Sequence, residues 1–467
     1  MRIHRTTMKN HFPFESPMML ARFGSTVLLA LVLIDSLRAD IISGLRQSDI
    51  QMVSEFQSAL LQSALEEARN VLLTGNVARS REIIMKARET EKDLPLTDLL
   101  VASWLLEANQ SVPAFQLMEQ TAATHPPRRD IHILYARVSL IQGRVFDASV
   151  HLEAAKTAAN DPDWSASFNN QLDIAMLEIQ ATIADRRGNW KESDRLFTEL
   201  KNVRPKSTAA INGLVRAAFF REEVETAEKY LRELETIQGP QGTLTELALA
   251  SLFEANRNPT KVEEWFKKGL ERENNEPIRR EYAKWLIRNN RAEEAKEMAT
   301  NTKPSESQTS EFVFIIALSE QMLGNFEASE PILARLDKVK PDTLQVMNHL
   351  VWAMLASQDA ETRKTALQLA NRMVSKFPLS MEAVATLGWA FHKNGDSQMG
   401  EEVFDRPTTS KNLSRDAAYF LAQIKEAVGK KAEAERILAG VQKAEGEFFH
   451  AKMLSEVSVE TPPSDAK

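Results

Sequence analysis

Residues 188–205 read GNWKESDRLFTELKNVRP, and residues 324–341 read GNFEASEPILARLDKVKP. Both stretches begin with Gly-Asn and an aromatic residue, and both end with a basic residue and a proline. Their first residues lie 136 positions apart, which is four times 34. Repetition of one stretch at a multiple of a fixed length is the sequence signature of a repeat array. The period of 34 residues therefore predicts the fold.

The same period runs along most of the chain as a series of turn residues. Most intervals between them are 34 residues or within one of it. Longer intervals point to an insertion at 160–170, with the sequence NDPDWSASFNN, and a smaller one near 358–362. The predicted turn positions are Gly75, Asn109, Gly143, Gly188, Glu222, Arg257, Asn290, Gly324, Glu361, Gly395 and Gly429.

Small residues recur at fixed distances from these turns. One stands seven positions before the turn, as at Ala136, Ala283, Gly388 and Ala422, and another stands five positions after it, as at Ala114, Ala148, Ser193 and Ser329. Two antiparallel helices approach closely where the facing side chains are small. Prolines at Pro126, Pro205, Pro341 and Pro378 predict the end of the second helix of a pair. Pro331 lies inside a second helix, where it predicts a kink or a shortened helix.

These positions resemble the tetratricopeptide repeat (TPR) family, whose pattern is W-x2-L-G-x2-Y before the turn and A-x3-F…P after it. Tyr135-Ala136, Tyr282-Ala283 and Leu387-Gly388 match the first half, and Trp190 and Phe326 match the aromatic residue common after the turn. The resemblance covers about eleven repeats. It implies an all-α, right-handed superhelical solenoid of helix pairs, in which the first helices line a concave wall.

Composition agrees with a helical protein that has no general affinity for nucleic acid. Only 16 of 467 residues are glycine, and 26% are charged. The formal net charge is −7, and the chain after residue 39 carries 53 basic and 63 acidic side chains. An acidic body does not attract phosphate backbones. The sequence therefore disfavours nucleic acid as a partner.

The chain offers no recognisable catalytic, metal or cofactor motif. It has no cysteine, which excludes thiolate ligands and thiol nucleophiles. Its sequence contains no glycine-rich phosphate loop, nucleophile elbow or paired-histidine zinc motif. We therefore expect no enzyme activity, no cofactor and no metal site.

The N-terminus is typical of an export signal. An apolar run from Gly24 to Ile34 follows Arg22, and its eleven residues are fewer than the roughly 20 that a membrane span needs. Ala39 could precede a cleaved bond, and translation could begin at Met1, Met8, Met18 or Met19. A buried helix of the first repeat and an uncleaved membrane anchor are the alternatives.

The sequence predicts four regions. Residues 1–39 are a signal peptide or anchor, 40–60 a lead-in helix, 61–440 the solenoid, and 441–467 a capping helix followed by a disordered tail. The capping helix is predicted to contain GEFFHAKMLSEV, residues 446–457.

The TPR resemblance also implies which residues face a partner. Family positions 2, 5, 9 and 12 fall on first helices, where basic and aromatic side chains would suit an acidic peptide segment. The alternative is that the cations balance nearby glutamates and that Trp389 packs between repeats. The predicted partner-binding residues are Arg137, Asn212, Arg216, Arg280, Lys284, His349, Trp389 and His392.

The resulting functional prediction is a non-catalytic scaffold or adaptor that binds a protein or peptide segment on the concave face. An exported chain would work in the periplasm of a bacterial cell envelope, either free or anchored to the membrane. One alternative is a component of an envelope polysaccharide or lipid export machinery. Another is a cytoplasmic adaptor or regulatory subunit of an enzyme, if the N-terminal segment is not a signal.

Overall fold

The computed structural model of the chain describes residues 59–239, 242, 244–273, 275–301, 309–408 and 412–454. The predicted signal or anchor at 1–39, nearly all of the lead-in region at 40–60, and the tail after 454 lie outside these residues. The described chain divides into two compact units, the first ending at Ala255 and the second beginning at Asn256.

Both units consist of α-helices joined by short turns, and the described residues contain no β-strand. The helices of the first unit are α1 (Ala59–Leu73), α2 (Val77–Thr90), α3 (Thr97–Glu107), α4 (Ser111–Thr124), α5 (Arg129–Ile141), α6 (Val145–Thr157), α7 (Ala166–Arg186), α8 (Trp190–Val203), α9 (Thr208–Phe220), α10 (Val224–Gln238) and α11 (Thr245–Ala255). The helices of the second unit are α12 (Pro259–Arg272), α13 (Glu276–Arg288), α14 (Ala292–Thr300), α15 (Thr309–Met322), α16 (Phe326–Val339), α17 (Leu344–Leu355), α18 (Ala360–Lys376), α19 (Met381–Lys393), α20 (Ser397–Val403), α21 (Arg415–Ala427) and α22 (Lys431–Lys443).

The turn positions predicted from the period are confirmed, with one exception. All of them except Glu361 have a positive φ, between 55° and 93°. This left-handed conformation reverses the chain after the first helix, and glycine and asparagine adopt it most readily. Glu361 instead lies in the first turn of α18, because the side chain of Asp359 caps that helix by accepting a hydrogen bond of 2.8 Å from the Thr362 N–H.

The small residues beside the turns pack as predicted. Ala136, Ala283 and Ala422 are fully buried, as is Gly388. The small residues five positions after the turns are also buried: Ser80, Ala114, Ala148, Ser193, Ala227, Ala295, Ser329, Ala366, Gly400 and Ala434. The close approach of the two helices of a pair therefore buries these positions in each repeat.

The first helices of successive pairs lie against one another. In the first unit α5 contacts α7 and α7 contacts α9, and in the second unit α17 contacts α19 and α19 contacts α21. Contacts between successive second helices are sparser in the described chain. Because the first helices are closer together, they form the inner face of each unit.

Two elements differ from the sequence predictions. Helix α16 runs from Phe326 to Val339 with Pro331 inside it, so of the two predicted outcomes the shortened helix was wrong and the kink stays a prediction. Burial of Phe326, Ser329, Leu333 and Leu336 along one face keeps the helix continuous on both sides of the proline. The predicted capping helix was also wrong over its first part, since residues 444–450 are not helical and helix resumes only at 451–454.

Candidate functional site

The inner face of the first unit carries ion pairs that join neighbouring first helices. Arg137 of α5 lies with its Nη2 atom 3.6 Å from Glu178 Oε2 of α7. Arg216 of α9 donates its Nε–H to both carboxylate oxygens of Asp185 of α7, at 3.0 and 3.2 Å. Glu178 and Asp185 lie two turns apart on α7, so this helix supplies an acid to each neighbour.

Burial makes these pairs part of the packing. The side chains of Arg137 and Asp185 are 8% and 6% exposed, and that of Arg216 is 17% exposed. Charges held this far from water need a partner, because an unpaired buried charge is strongly destabilising. Arg137 and Arg216 therefore contribute little net positive charge to the inner face.

The predicted basic residues of the second unit meet acids in the same way. Arg280 and Lys284 of α13 both contact Glu311 of α15, at 3.0 and 3.4 Å, and both also contact Glu281 at 3.2 Å. The structure thus favours the alternative in which these cations balance nearby glutamates. Asn212 of α9 is half-buried and lies one turn before Arg216.

The aromatic members of the predicted site lie together further along the second unit. His349 of α17 contacts Trp352 of the same helix, with ring centroids 4.6 Å apart. Trp389 of α19 stacks on Phe420 of α21 at 4.7 Å and on His392 at 5.0 Å. We call the surface formed by His349, Trp352, Trp389, Tyr419 and Phe420 the aromatic groove. It crosses three consecutive first helices.

Only 5% of Trp389 is accessible to solvent, which favours the alternative in which this residue packs between repeats. His349 is likewise buried, and His392 is half-buried with its Nδ1 atom 2.9 Å from Ser397 Oγ. Packing between neighbouring repeats explains part of this burial. The rest comes from a segment of the same chain that lies on the groove.

Residues 446–452, which we call the strap, pass along the aromatic groove. Phe448, Phe449 and His450 are all nearly fully buried. The ring of Phe449 lies 4.7 Å from that of His349, and the ring of His450 lies 4.8 Å from that of Phe420. The strap thus covers α17, α19 and α21 together.

Three side chains bind the strap backbone. The first is Arg415 of α21, whose Nη1–H donates to the Gly446 carbonyl at 2.9 Å. Asn290, in the turn after α13, accepts a hydrogen bond of 3.0 Å from the Phe448 N–H and donates one of 2.8 Å to the Gly446 carbonyl. Asp416 of α21 accepts hydrogen bonds from the N–H groups of Phe449 and His450, at 3.3 and 3.1 Å. The His450 Nδ1–H also donates to this carboxylate, at 2.6 Å.

Asp416 therefore binds the two residues that precede the short helix at 451–454. It supplies an acceptor to successive backbone N–H groups that have no partner within the helix. At the far end of the strap, the Lys452 ammonium group donates to the Leu323 carbonyl. The adjoining turn residue Gly324 leaves room for this side chain, because a Cβ atom there would lie 2.9 Å from Lys452 Cδ.

His349 is held as a neutral ring at the base of the groove. Its Nδ1–H donates at 2.7 Å to the Gln321 Oε1 atom, which can only accept, while the Gln321 amide group donates to the His349 carbonyl at 2.8 Å. Burial lowers the pKa of His349 to about 3, with a smaller contribution from nearby His450. Burial also lowers the pKa of His392.

Sequence reasoning missed the residues that bind the strap. Asn290 was identified only as a turn residue, and Asp416 and the strap were not considered as parts of a site. The signal that could have found them is the pair Phe448-Phe449 after Gly446, because adjacent aromatic residues next to a polar tail need a surface that buries them. Of the predicted site residues, Arg137, Asn212 and Arg216 belong to the first unit, whereas His349, Trp389 and His392 belong to the second.

The insertion at 160–170 forms a second feature of the first unit. Arg128 lies over the Trp164 ring, 4.6 Å from its centroid, and forms an ion pair with Asp161. The Ser165 N–H donates to Asp93 at 2.8 Å, which connects the insertion to the loop after α2. An open cleft of about 300 Å³ lies here, lined by Arg88, Asp161 and Trp164 among others.

Within the part of the chain that the structure describes, no group of three or more histidine or acidic side chains could hold a metal ion. None of the helices there combines the length and the apolarity required to cross a membrane.

The chain has the fold of a TPR-like helical solenoid, as its helix pairs and turns show.

No protein-family profile and no curated protein sequence matches it. Similar solved structures include PilW, a widely conserved type IV pilus biogenesis factor, which covers 46% of this chain and 94% of its own at 12% identity and a TM-score of 0.33. The match to a tetratricopeptide repeat protein from Parabacteroides merdae covers 68% of this chain and 99% of that protein, at 15% identity and a TM-score of 0.28. The match to the TPR domain of P58(IPK) covers 83% of this chain and 100% of that domain, at 13% identity and a TM-score of 0.26. Similarities this distant say nothing about the partner of this chain.

Proposed function

We propose that this protein is a non-catalytic scaffold that binds a segment of a partner protein along the inner faces of its helical units. The observation that carries the proposal is the strap. An irregular stretch of polypeptide lies across three first helices, with its backbone bound by Asn290 and Asp416 and its aromatic rings buried in a groove. A surface that holds one peptide segment in this way has the shape and chemistry for peptide recognition.

The inner face of the first unit is a second candidate binding surface, and it is also formed by first helices. Its charges are paired between helices, so recognition there would rely on shape and on polar groups such as Asn212 more than on net positive charge. The predicted attraction for an acidic peptide is correspondingly weaker than the sequence suggested.

A matched pair of substitutions tests the inner face. Asn212→Arg places a bulky charge on first helix α9, and Asn202→Arg places the same charge on an exposed position of second helix α8. Affinity capture from extracts of the source cells, with the purified full chain as bait, should recover a partner with the wild type and with Asn202→Arg but not with Asn212→Arg. Equal recovery with both variants would exclude this surface of the first unit.

We also propose an envelope location, on the strength of the N-terminal sequence alone. The apolar run at 24–34 with Arg22 before it supports export. N-terminal sequencing of the protein purified from fractionated cells tests this. A mature chain that begins at Asp40 is expected, and an intact N-terminus recovered from the cytosol would contradict it.

A further inference from the structure

The strap differs from the helices of the second unit in the way the chain connects it to that unit. An exposed linker, residues 444–445, joins it to the end of α22. Gly446, the first residue of the strap, has a φ of 102°, which is not a helical conformation. Since the strap follows the last helix pair, it can leave the groove without the unwinding of any helix from α13 to α22.

The bonds that hold the strap come from side chains and not from a helical ladder. Its N–H groups at 448–450 are bound by the side chains of Asn290 and Asp416, and its basic end is bound by the Leu323 carbonyl. The Gly446 carbonyl accepts a further hydrogen bond from Arg415, whose guanidinium group also lies over the Phe448 ring. His450 contacts Phe326 of α16, and Phe448, Phe449 and His450 contact the aromatic groove. Any segment that brings the same groups to the same places would satisfy the same partners.

These contacts define the chemistry of such a segment. The wall of His349, Trp352 and Phe420 accepts aromatic rings, because offset and edge-to-face pairs add to the burial of their surface. The Asp416 carboxylate accepts two successive N–H groups where a helix starts, together with one side-chain donor. The Leu323 carbonyl accepts an ammonium group two residues further on.

We propose that the strap is an internal ligand of the aromatic groove, and that the groove binds a partner segment of the same chemistry when the strap leaves. The partner segment carries two adjacent aromatic residues and a histidine or similar donor at the start of a helix, with a lysine or arginine two residues later. The inference rests on the proposed scaffold function and specifies its partner. While seated, the strap lowers the apparent affinity for the partner in proportion to the fraction of open molecules.

A peptide exchange assay with the full-length chain tests the proposal. The probe is a fluorescent synthetic peptide with the sequence of residues 444–454, AEGEFFHAKML. Phe449→Ala in the strap removes the ring that contacts His349 while it leaves the groove intact, and Glu445→Ala, in the exposed linker, is the matched control. The Phe449→Ala chain should bind the probe at least about tenfold more tightly than either the wild type or the Glu445→Ala chain.

Two additions make the assay specific to the groove. A probe in which both phenylalanines are replaced by alanine should not bind, and Asp416→Asn added to Phe449→Ala should weaken binding of the intact probe. Equal affinity of the probe for a folded Phe449→Ala chain and for the wild type would overturn the proposal. If the wild type is a dimer and Phe449→Ala dissociates it, the groove binds the strap of a second copy of this chain. That result would overturn the proposal of a partner segment from another protein.

Hydrogen exchange of the wild type covers the case in which Phe449→Ala fails to fold. A releasable strap exchanges the amides of Phe448, Phe449 and His450 faster than those in the middle of α21. Protection equal to that of α21 would make the strap a permanent part of the core and overturn the proposal. Since the Asn212→Arg experiment probes the first unit, failure there and failure here are separate results.

Discussion

Arg216 shows how a residue predicted to face a partner can serve the fold instead. Its guanidinium group contacts both oxygens of the buried Asp185 on the neighbouring first helix. We expect Arg216→Ala to lower the free energy of unfolding by about 3 kcal/mol, because Asp185 would remain buried without this cation. Urea unfolding of the full chain measures this. A double variant that also carries Asp185→Ala should regain most of the loss, whereas unchanged stability of Arg216→Ala would leave the residue free for binding.

His349 makes stability depend on pH in a defined direction. Burial holds its folded-state pKa at about 3, below the ordinary histidine pKa of roughly 6.5. Between these pH values His349 is protonated in the unfolded chain and neutral in the folded chain. The free energy of unfolding therefore decreases as the pH falls below about 6.5. The expected contribution approaches about 1.4 kcal/mol for each pH unit, the value for one proton.

The check is a comparison of slopes. Free energies of unfolding measured in urea at several pH values between 7 and 5 should fall more steeply for the wild type than for His349→Gln. Contributions of other groups are shared by both proteins and cancel in the difference. Parallel slopes would show that His349 is not held neutral by burial.

At the scale of the helix, Gly213 illustrates packing that the repeat pattern did not specify. It lies in α9, and a Cβ atom there would lie 2.3 Å from the ring of Phe197 in α8. Gly440 in α22 is also helical, but a Cβ atom at that position meets nothing within 4 Å. The two glycines therefore serve different ends, since only Gly213 permits a close approach between helices.

Alanine substitutions at these two glycines should have opposite effects. Gly213→Ala forces the Phe197 ring to move and should destabilise the protein by about 1–3 kcal/mol. Gly440→Ala removes backbone freedom from the unfolded chain and should stabilise it by about 0.5–1 kcal/mol. Thermal unfolding of both variants measures the difference. Stabilisation by both would contradict the close contact between α8 and α9.

Element boundaries were predictable where local chemistry determines them and not where long-range packing does. The turns at Gly188 and Gly324 follow from the need for a positive φ between two helices. The continuity of α16 through Pro331 does not, because it depends on the burial of Leu333 against α15 and α17 and of Phe326 beside His450 of the strap. The strap is a further case, since Asn290 and Asp416 lie 158 and 33 residues from the amides they bind.

At the scale of the molecule, the strap departs from the one-dimensional rule of solenoids. Repeats normally contact only their neighbours. The strap connects the turn after α13 to the segment that follows the last helix pair, because the Phe448 N–H bonds to Asn290 across 158 residues. Asn290 therefore couples an early repeat of the second unit to the segment beyond α22.

Asn290→Ala and Asn109→Ala form a matched pair that isolates this coupling. Both asparagines occupy turns, with φ of 57° and 58°, so alanine meets a similar backbone penalty at both. Asn290→Ala also removes two hydrogen bonds to the strap. Hydrogen exchange should accelerate at residues 446–454 in Asn290→Ala and stay unchanged there in Asn109→Ala. The same exchange rate in both variants would show that the Asn290 bonds do not hold the strap.

The sequence by itself determined the class of fold, the number and order of helix pairs, nearly all turn positions and the small residues that pack beside the turns. These features repeat every 34 residues because each depends on contacts within one pair or between neighbours, and such contacts leave a local pattern. Only the tertiary structure decided the state of the candidate site. It paired Arg137, Arg216, Arg280 and Lys284 with acids of adjacent helices, and it buried His349 and Trp389 beneath the strap. The physical reason is that charge pairing and burial depend on which surfaces meet across the fold, and neither follows the repeat period.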